Sequence, residues 1–357
     1  GSEIHMNSGN TYRIQLDGSR VEQFTYGQVN PFGMALDPLG NLYTSDCHSM
    51  PAYLLVRDAY YPSFGKPHDG LGFAPKIMEH SHGSTAIDGV VYYSDNQWPV
   101  EYRDNVFIGN VMTSRVNRDT LLEVGSGKRA REEADFIKTT DSWFRPVNMQ
   151  FGPDGSLYIA DFYNRIIGHY EVPLQHPGRD RHRGRIWKVS FRGTRGQTGQ
   201  EERPFDLTKL SMAGVFEELK DHNLARRQLA MNYLVDEIGA ASIAPAKALI
   251  STENSSNWQQ RTQALWLLHR LHALDAKTLG QAVNDPTREV RVHSMRVLSE
   301  SPNWTNVQRK HALAGLADSD LNVRRAAADA FTTHPDPRHV SRIISALNDT
   351  NSKTPLL

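Results

Sequence analysis

One segment of this chain occurs twice. Asn30-Pro31-Phe32-Gly33-Met34-Ala35-Leu36-Asp37-Pro38-Leu39-Gly40-Asn41-Leu42-Tyr43-Thr44-Ser45-Asp46 returns as Arg145-Pro146-Val147-Asn148-Met149-Gln150-Phe151-Gly152-Pro153-Asp154-Gly155-Ser156-Leu157-Tyr158-Ile159-Ala160-Asp161. Each copy reads as an alternating strand, a glycine-containing turn and a second strand ending in aspartate. A hairpin repeated at long spacing in a β-rich region predicts radial repetition, the arrangement of β-propeller blades. Each copy starts and ends at one rim, so Asn30, Asp46, Arg145 and Asp161 are expected to gather on one face. A site in such a ring is expected on that face.

Two periodicities divide the chain. Residues 11–190 carry short alternating runs separated by Gly, Pro, Asn and Asp turns. The repeats stand 115 residues apart, room for about two four-stranded blades. A middle unit running from His82 through Arg115-Val116 fits a blade between them. The expectation is a partial β-propeller of about three blades, short of the roughly four to eight that close a ring. Residues 191–206 are polar and glycine-rich and read as a linker. From 207 to 350 the apolar period becomes that of helices, with Arg226, Arg261, Arg291 and Arg324 at spacings of 35, 30 and 33. That rhythm predicts an α-helical solenoid of paired helices, with the arginines as its inter-repeat ladder. The fold class expected is therefore multidomain β plus α.

Residues 1–10 read as a tag remnant and a disordered start, since Gly1-Ser2-Glu3-Ile4-His5-Met6 looks vector-derived, and 351–357 as a tail. Lys plus Arg and Asp plus Glu balance at 40 each, so bulk charge gives no reason to expect a nucleic-acid partner. No apolar run reaches the roughly 20 residues of a membrane span. With Cys47 as the single cysteine, no internal disulfide forms.

Polar groups collect at the expected rim: Asp46-Cys47-His48, His80-Ser81-His82, Asp141 and Asp161. His80 and His82 alternate, so on a strand they point the same way. Asp46, His48, His80, His82 and Asp161 are the candidate divalent-metal ligands, and His82, His48 and Asp161 the candidate catalytic groups. The alternative is that these groups cap loops and strand ends. Cys47 beside His48 lacks a third orienting group for nucleophilic work. The run from His176 to Arg185 is either an anion-binding loop or one pinned by its own ion pairs.

The two hairpins, Gly89-Val90-Val91-Tyr92-Tyr93 through Trp98-Pro99-Val100-Glu101-Tyr102-Arg103, and Arg185-Ile186-Trp187-Lys188-Val189 resemble the glucose/sorbosone dehydrogenase-like propeller family. More closely, the chain resembles large secreted bacterial proteins that fuse such a propeller to HEAT repeats. The resemblance implies a secreted or periplasmic fragment of a sugar or polyol dehydrogenase, with pyrroloquinoline quinone and calcium at the rim. Arg145 sits where that family places a cofactor-contacting arginine, and Asn148 is taken with it as cofactor-binding. The family's second basic contact falls near Met112, which is not basic. Its catalytic histidine belongs to blades expected upstream. No Cys-x-x-Cys-His is present for covalent haem.

Two other functions fit the same residues. One is a metal-dependent hydrolase of lactones or phosphoesters at the rim, with calcium or a transition metal activating water. In that case Phe32 and Val147 stand where such propellers tend to place an amide or carboxylate ligand. The other is a non-catalytic interaction module in which the solenoid binds a protein partner. The open sheet edges would also allow pairing with a second copy of the chain. The dehydrogenase and hydrolase readings share a small-molecule substrate.

Overall fold

The structure, a computed structural model, describes residues 9–15, 17–63, 72–84, 87–168, 172–193, 205–251 and 257–348. Most of the expected start, the linker positions 194–204 and the tail lie outside those residues, as do His169, Tyr170 and Glu171. The chain forms two compact units, one of strands and one of helices.

The strand unit opens with an antiparallel pair, β1 (Tyr12–Ile14) and β2 (Val21–Gln23), and a short β3 (Tyr26–Gly27). A first sheet follows in the order β4 (Pro31–Leu36), β5 (Leu42–Asp46), β6 (Tyr53–Leu55). Strand β7 (Tyr60–Tyr61) returns to pair in parallel with β3. The second sheet runs β8 (Ile87–Tyr93), β9 (Asn105–Asn110), β10 (Arg115–Val124), β11 (Gly127–Glu132), with β12 (Ile137–Lys138) also on β10. The third comprises β13 (Pro146–Phe151), β14 (Leu157–Asp161) and β15 (Arg185–Val189). The pairs β4–β5, β5–β6, β8–β9, β9–β10, β10–β12, β13–β14 and β14–β15 are antiparallel.

The repeated segments are the first two strands of the first and third sheets, with Pro31 opposite Asp46 and Pro146 opposite Asp161. Each sheet's first strand is irregular near its start, at Phe32/Ala35, Ile87/Val90 and Pro146/Asn148. Those first strands adjoin: β4 and β13 each lie against β8. Two glycines permit the approach. A Cβ on Gly33, whose φ is +63°, would meet Val90 N at 2.9 Å, and one on Gly89 would meet Asn148 Cα at 2.8 Å. Among the described residues the three sheets do not close into a ring.

Apolar residues fill the space between the second and third sheets. Trp98 stacks on Phe136 at 5.2 Å and meets Phe107 edge-on, over fully buried Met149, Leu157 and Ile159. Strand β15 is the last of its sheet and leaves Ile186 and Trp187 exposed.

The helical unit contains α1 (Met212–Glu218), α2 (Leu224–Tyr233), α3 (Ile243–Ile250), α4 (Trp258–Arg270), α5 (Ala276–Val283), α6 (Arg288–Glu300), α7 (Asn306–Gly315), α8 (Leu321–Thr332) and α9 (Val340–Asn348). Side chains one residue ahead start most of them. Asn257 caps α4, Asp275 caps α5, Asp320 caps α8, and Thr305 with Gln308 forms a capping box on α7. Helices α2, α4, α6 and α8 stack in one row and α3, α5 and α7 in another. Arginines link successive pairs. Arg261 grips Asp285 with two bonds of 2.7 and 3.0 Å, and Arg291 grips Asp318 at 2.8 and 3.0 Å. The second partner in each case lies on the turn ahead of the next long helix. Among the described residues no helix is long and apolar enough to cross a membrane.

Candidate functional site

The two hairpin aspartates are closures of their own strands. Asp46 accepts hydrogen bonds from the backbone N–H groups of Val29 (2.9 Å), Asn30 (3.2 Å) and His48 (3.1 Å). Asp161 does the equivalent with Arg145 N (2.8 Å) and Tyr163 N (2.9 Å). It also receives Arg185 Nε at 2.7 Å and Trp187 Nε1 at 2.9 Å, and its side chain is fully buried. A carboxylate with four donors is satisfied where it stands. Arg185 in turn reaches Asp141 at 2.9 Å.

Arg145 is equally committed. Its guanidinium donates to the carbonyls of Asn164 (2.9 Å), Arg165 (3.1 Å) and Val111 and to Ser114 Oγ, and the residue is buried. Asn148 Oδ1 accepts from Met149 N at 2.8 Å, and its side chain packs on the Gly89 backbone. The donors of the Arg145 guanidinium are thus committed within the chain, whereas Asn148 is exposed and has only its Oδ1 hydrogen-bonded. The arginine run from 176 to 185 is pinned locally: Arg179 donates to Val172 and Pro173 carbonyls, Arg181 to Leu174 O, and Arg183 pairs with Asp180.

The histidines are joined elsewhere. His80 Nε2 lies 2.5 Å from one oxygen of Asp119 and His82 Nε2 lies 2.7 Å from the other. Asp119 stands mid-strand on β10 with its carboxylate fully buried. The opposite nitrogen of His82, Nδ1, faces Glu132 at 3.3 Å, at the end of β11. Burial pulls the His82 imidazole down, but Asp119 and then Glu132 more than offset it, and its pKa is raised. His82 has φ +56°, uncommon for a residue with a side chain. Among the described residues this is the group of three whose ligand atoms lie within 4.8 Å of one another; Asp46, His48 and Asp161 are not brought to it.

A second perturbed group lies at the start of β8. Asp88 is buried, its side chain makes no hydrogen bond among the described residues, and burial pushes its carboxyl up to about 7. Its carbonyl accepts from Ser45 Oγ on β5. Burial also pushes the nearby Cys47 thiol up, with Asn30 bonding it and Asp88 and Asp46 adding to the rise. A protonated thiol is a poor nucleophile. Because the folded pKa of Asp88 exceeds its ordinary 3.8, the neutral form contributes stability below about pH 4. That contribution is lost as pH rises through about 7. Asp88→Asn is expected to remove this dependence, raising the melting temperature at about pH 8 more than at about pH 5. Thermal melts of both proteins across that range check it.

Asp88, Asp119 and Glu132 carry no sequence signal of their own. Asp119 sits in Asn117-Arg118-Asp119-Thr120, where alternation alone gives no reason to bury the acid.

The sequence places the chain in a family. It belongs to the family described as a domain of unknown function (DUF7133), whose model matches residues 2–193. Among curated proteins it is similar to aldose sugar dehydrogenase YliI of Escherichia coli (strain K12). The two are 23% identical over 167 residues, covering 41% of this chain and 42% of that protein. Among solved structures it is similar to an oxidoreductase titled glucose dehydrogenase from Thermus thermophilus, with 19% identity, 47% of each chain covered and a TM-score of 0.35. The apo-form soluble aldose sugar dehydrogenase of Escherichia coli gives 22% identity, 42% and 46% coverage and a TM-score of 0.33. The chain thus spans less than half the length of each of these relatives.

Proposed function

We propose that the strand unit is three blades of a propeller and part of an oxidoreductase that binds an aldose or polyol. The observation that carries the reading is the 167-residue likeness to an aldose sugar dehydrogenase. Arg145, held by main-chain carbonyls, offers little to a quinone, and Asn148 is exposed with only its Oδ1 hydrogen-bonded, to Met149 N. The quinone and calcium therefore rest on the resemblance alone. The hydrolase alternative would need a metal whose open coordination position substrate can reach, and of the three grouped side chains only that of His80 is partly exposed. In the helical unit the Arg261–Asp285 and Arg291–Asp318 links support a HEAT-type solenoid offering a surface to a protein partner.

Calorimetric titration of the chain with aldoses and polyols is expected to show binding, roughly millimolar. Absence of binding by every sugar and polyol overturns the reading.

A further inference from the structure

His80, His82 and Asp119 converge from two parts of the chain that are far apart in sequence. The histidines lie on the segment 74–84 that precedes β8, and Asp119 lies on the third strand of the same sheet. The segment is also tied to β11, where Ala130 N donates to Ile77 O, and it buries Ile77 and Met78. We infer that His80, His82 and Asp119 form a site for one transition-metal ion of the zinc class, which clamps the 74–84 segment onto β10 and β11. This inference does not depend on the sugar-oxidation reading.

The donor set suits that ion. Two imidazole nitrogens and a carboxylate oxygen are borderline ligands of the zinc type, not the all-oxygen shell that calcium takes. Both imidazoles present the same nitrogen, Nε2, to one carboxylate, and the ligand atoms already lie within 4.8 Å. Ligand atoms of a tetrahedral ion with bonds of about 2.0 Å stand about 3.3 Å apart. The present contacts, 2.5 Å to one carboxylate oxygen and 2.7 Å to the other, would therefore open by about 0.8 and 0.6 Å on metal entry. His80, on the loop and with its side chain 22% exposed, is the member able to shift. Asp119 and His82, whose side chains are 0% and 2% exposed, are held in place.

Glu132 completes the arrangement without touching the ion. It sits 3.3 Å from His82 Nδ1. Accepting that N–H fixes the tautomer in which Nε2 is the free lone pair, the role of carboxylates behind metal-bound histidines. Glu132 is therefore a positioning residue. His82 at φ +56°, followed by Gly83 at φ +70°, makes a left-handed turn, a conformation in which histidine is found more often than most residues with a side chain. The turn aims the imidazole into the sheet. An ion held by these three groups would tie the segment down, with a water as its fourth ligand.

The test is a titration of the chelator-treated chain with Zn²⁺ and with Co²⁺, following melting temperature and the visible absorption of bound cobalt. One equivalent is expected to bind, with a tetrahedral cobalt spectrum and a melting temperature raised by several degrees. Asp119→Asn and His80→Ala are each expected to weaken binding at least 100-fold. Glu132→Gln should weaken it about 10- to 100-fold while keeping the cobalt spectrum. If Asp119→Asn does not fold, His80→Ala decides, since its side chain is partly exposed. Binding unchanged in His80→Ala, a six-coordinate cobalt spectrum, or no ion bound by the unaltered chain overturns the site and leaves a hydrogen-bonded His–Asp–His cluster.

Discussion

Asp161→Ala is expected to cost about 3–5 kcal/mol of unfolding free energy, the range for removing one partner of a buried charged network. The loss has three parts. The N–H groups of Arg145 and Tyr163 lose their acceptor, the Trp187 indole N–H is stranded, and Arg185 keeps only Asp141. Because these partners lie on both flanking strands and on the loop beyond β14, amide exchange should quicken across the third sheet. Asp46→Ala is expected to cost less, about 1–3 kcal/mol, since that carboxylate closes its hairpin through backbone N–H groups with no arginine in the set. Denaturant unfolding of both variants measures the difference. A stable Asp161→Ala protein with altered metal content would overturn the structural role and return Asp161 to the metal site.

Arg145→Lys should destabilise by about 2–4 kcal/mol although the charge is kept. The guanidinium reaches three carbonyls and a hydroxyl in different directions, joining the turn after β9 to the chain beyond β14. A lysine offers one nitrogen on a flexible stem and leaves buried carbonyls without donors. Burial already lowers the pKa of this arginine, with Asp161 and Asp141 partly offsetting it, so the site tolerates the charge only with its partners in place. A cofactor-contacting arginine would behave differently. Its lysine variant would fold normally and lose only quinone affinity. Melting temperature and quinone titration on one sample separate the two.

The repeated hairpin was legible because local chemistry encodes it. Proline before the first strand, a Gly-containing turn and a closing aspartate are short-range signals, and the register Pro31–Asp46 and Pro146–Asp161 follows from them. Helix caps such as Asp320 were legible because they are local signals. Of the four arginines expected as a ladder, only Arg261 and Arg291 reach the turn ahead of the next long helix; Arg226 and Arg324 bond the turn before their own helix. The candidate site was only half legible. His80 and His82 stood out by alternation, yet the groups they face, Asp119 and Glu132, are 37 and 50 residues beyond His82 on strands of no special pattern.

The sequence by itself determined which segments pair with their neighbours and where strand gives way to helix, because hydrogen bonding within hairpins and helix turns is local. Only the tertiary structure decided what the polar groups do. A carboxylate can be committed to backbone donors, as Asp161 is, or buried with no hydrogen bond to its side chain among the described residues, as Asp88 is. Which of the two holds depends on the strands brought alongside it. Burial and partner geometry, not residue type, set the charge state and the availability of each group.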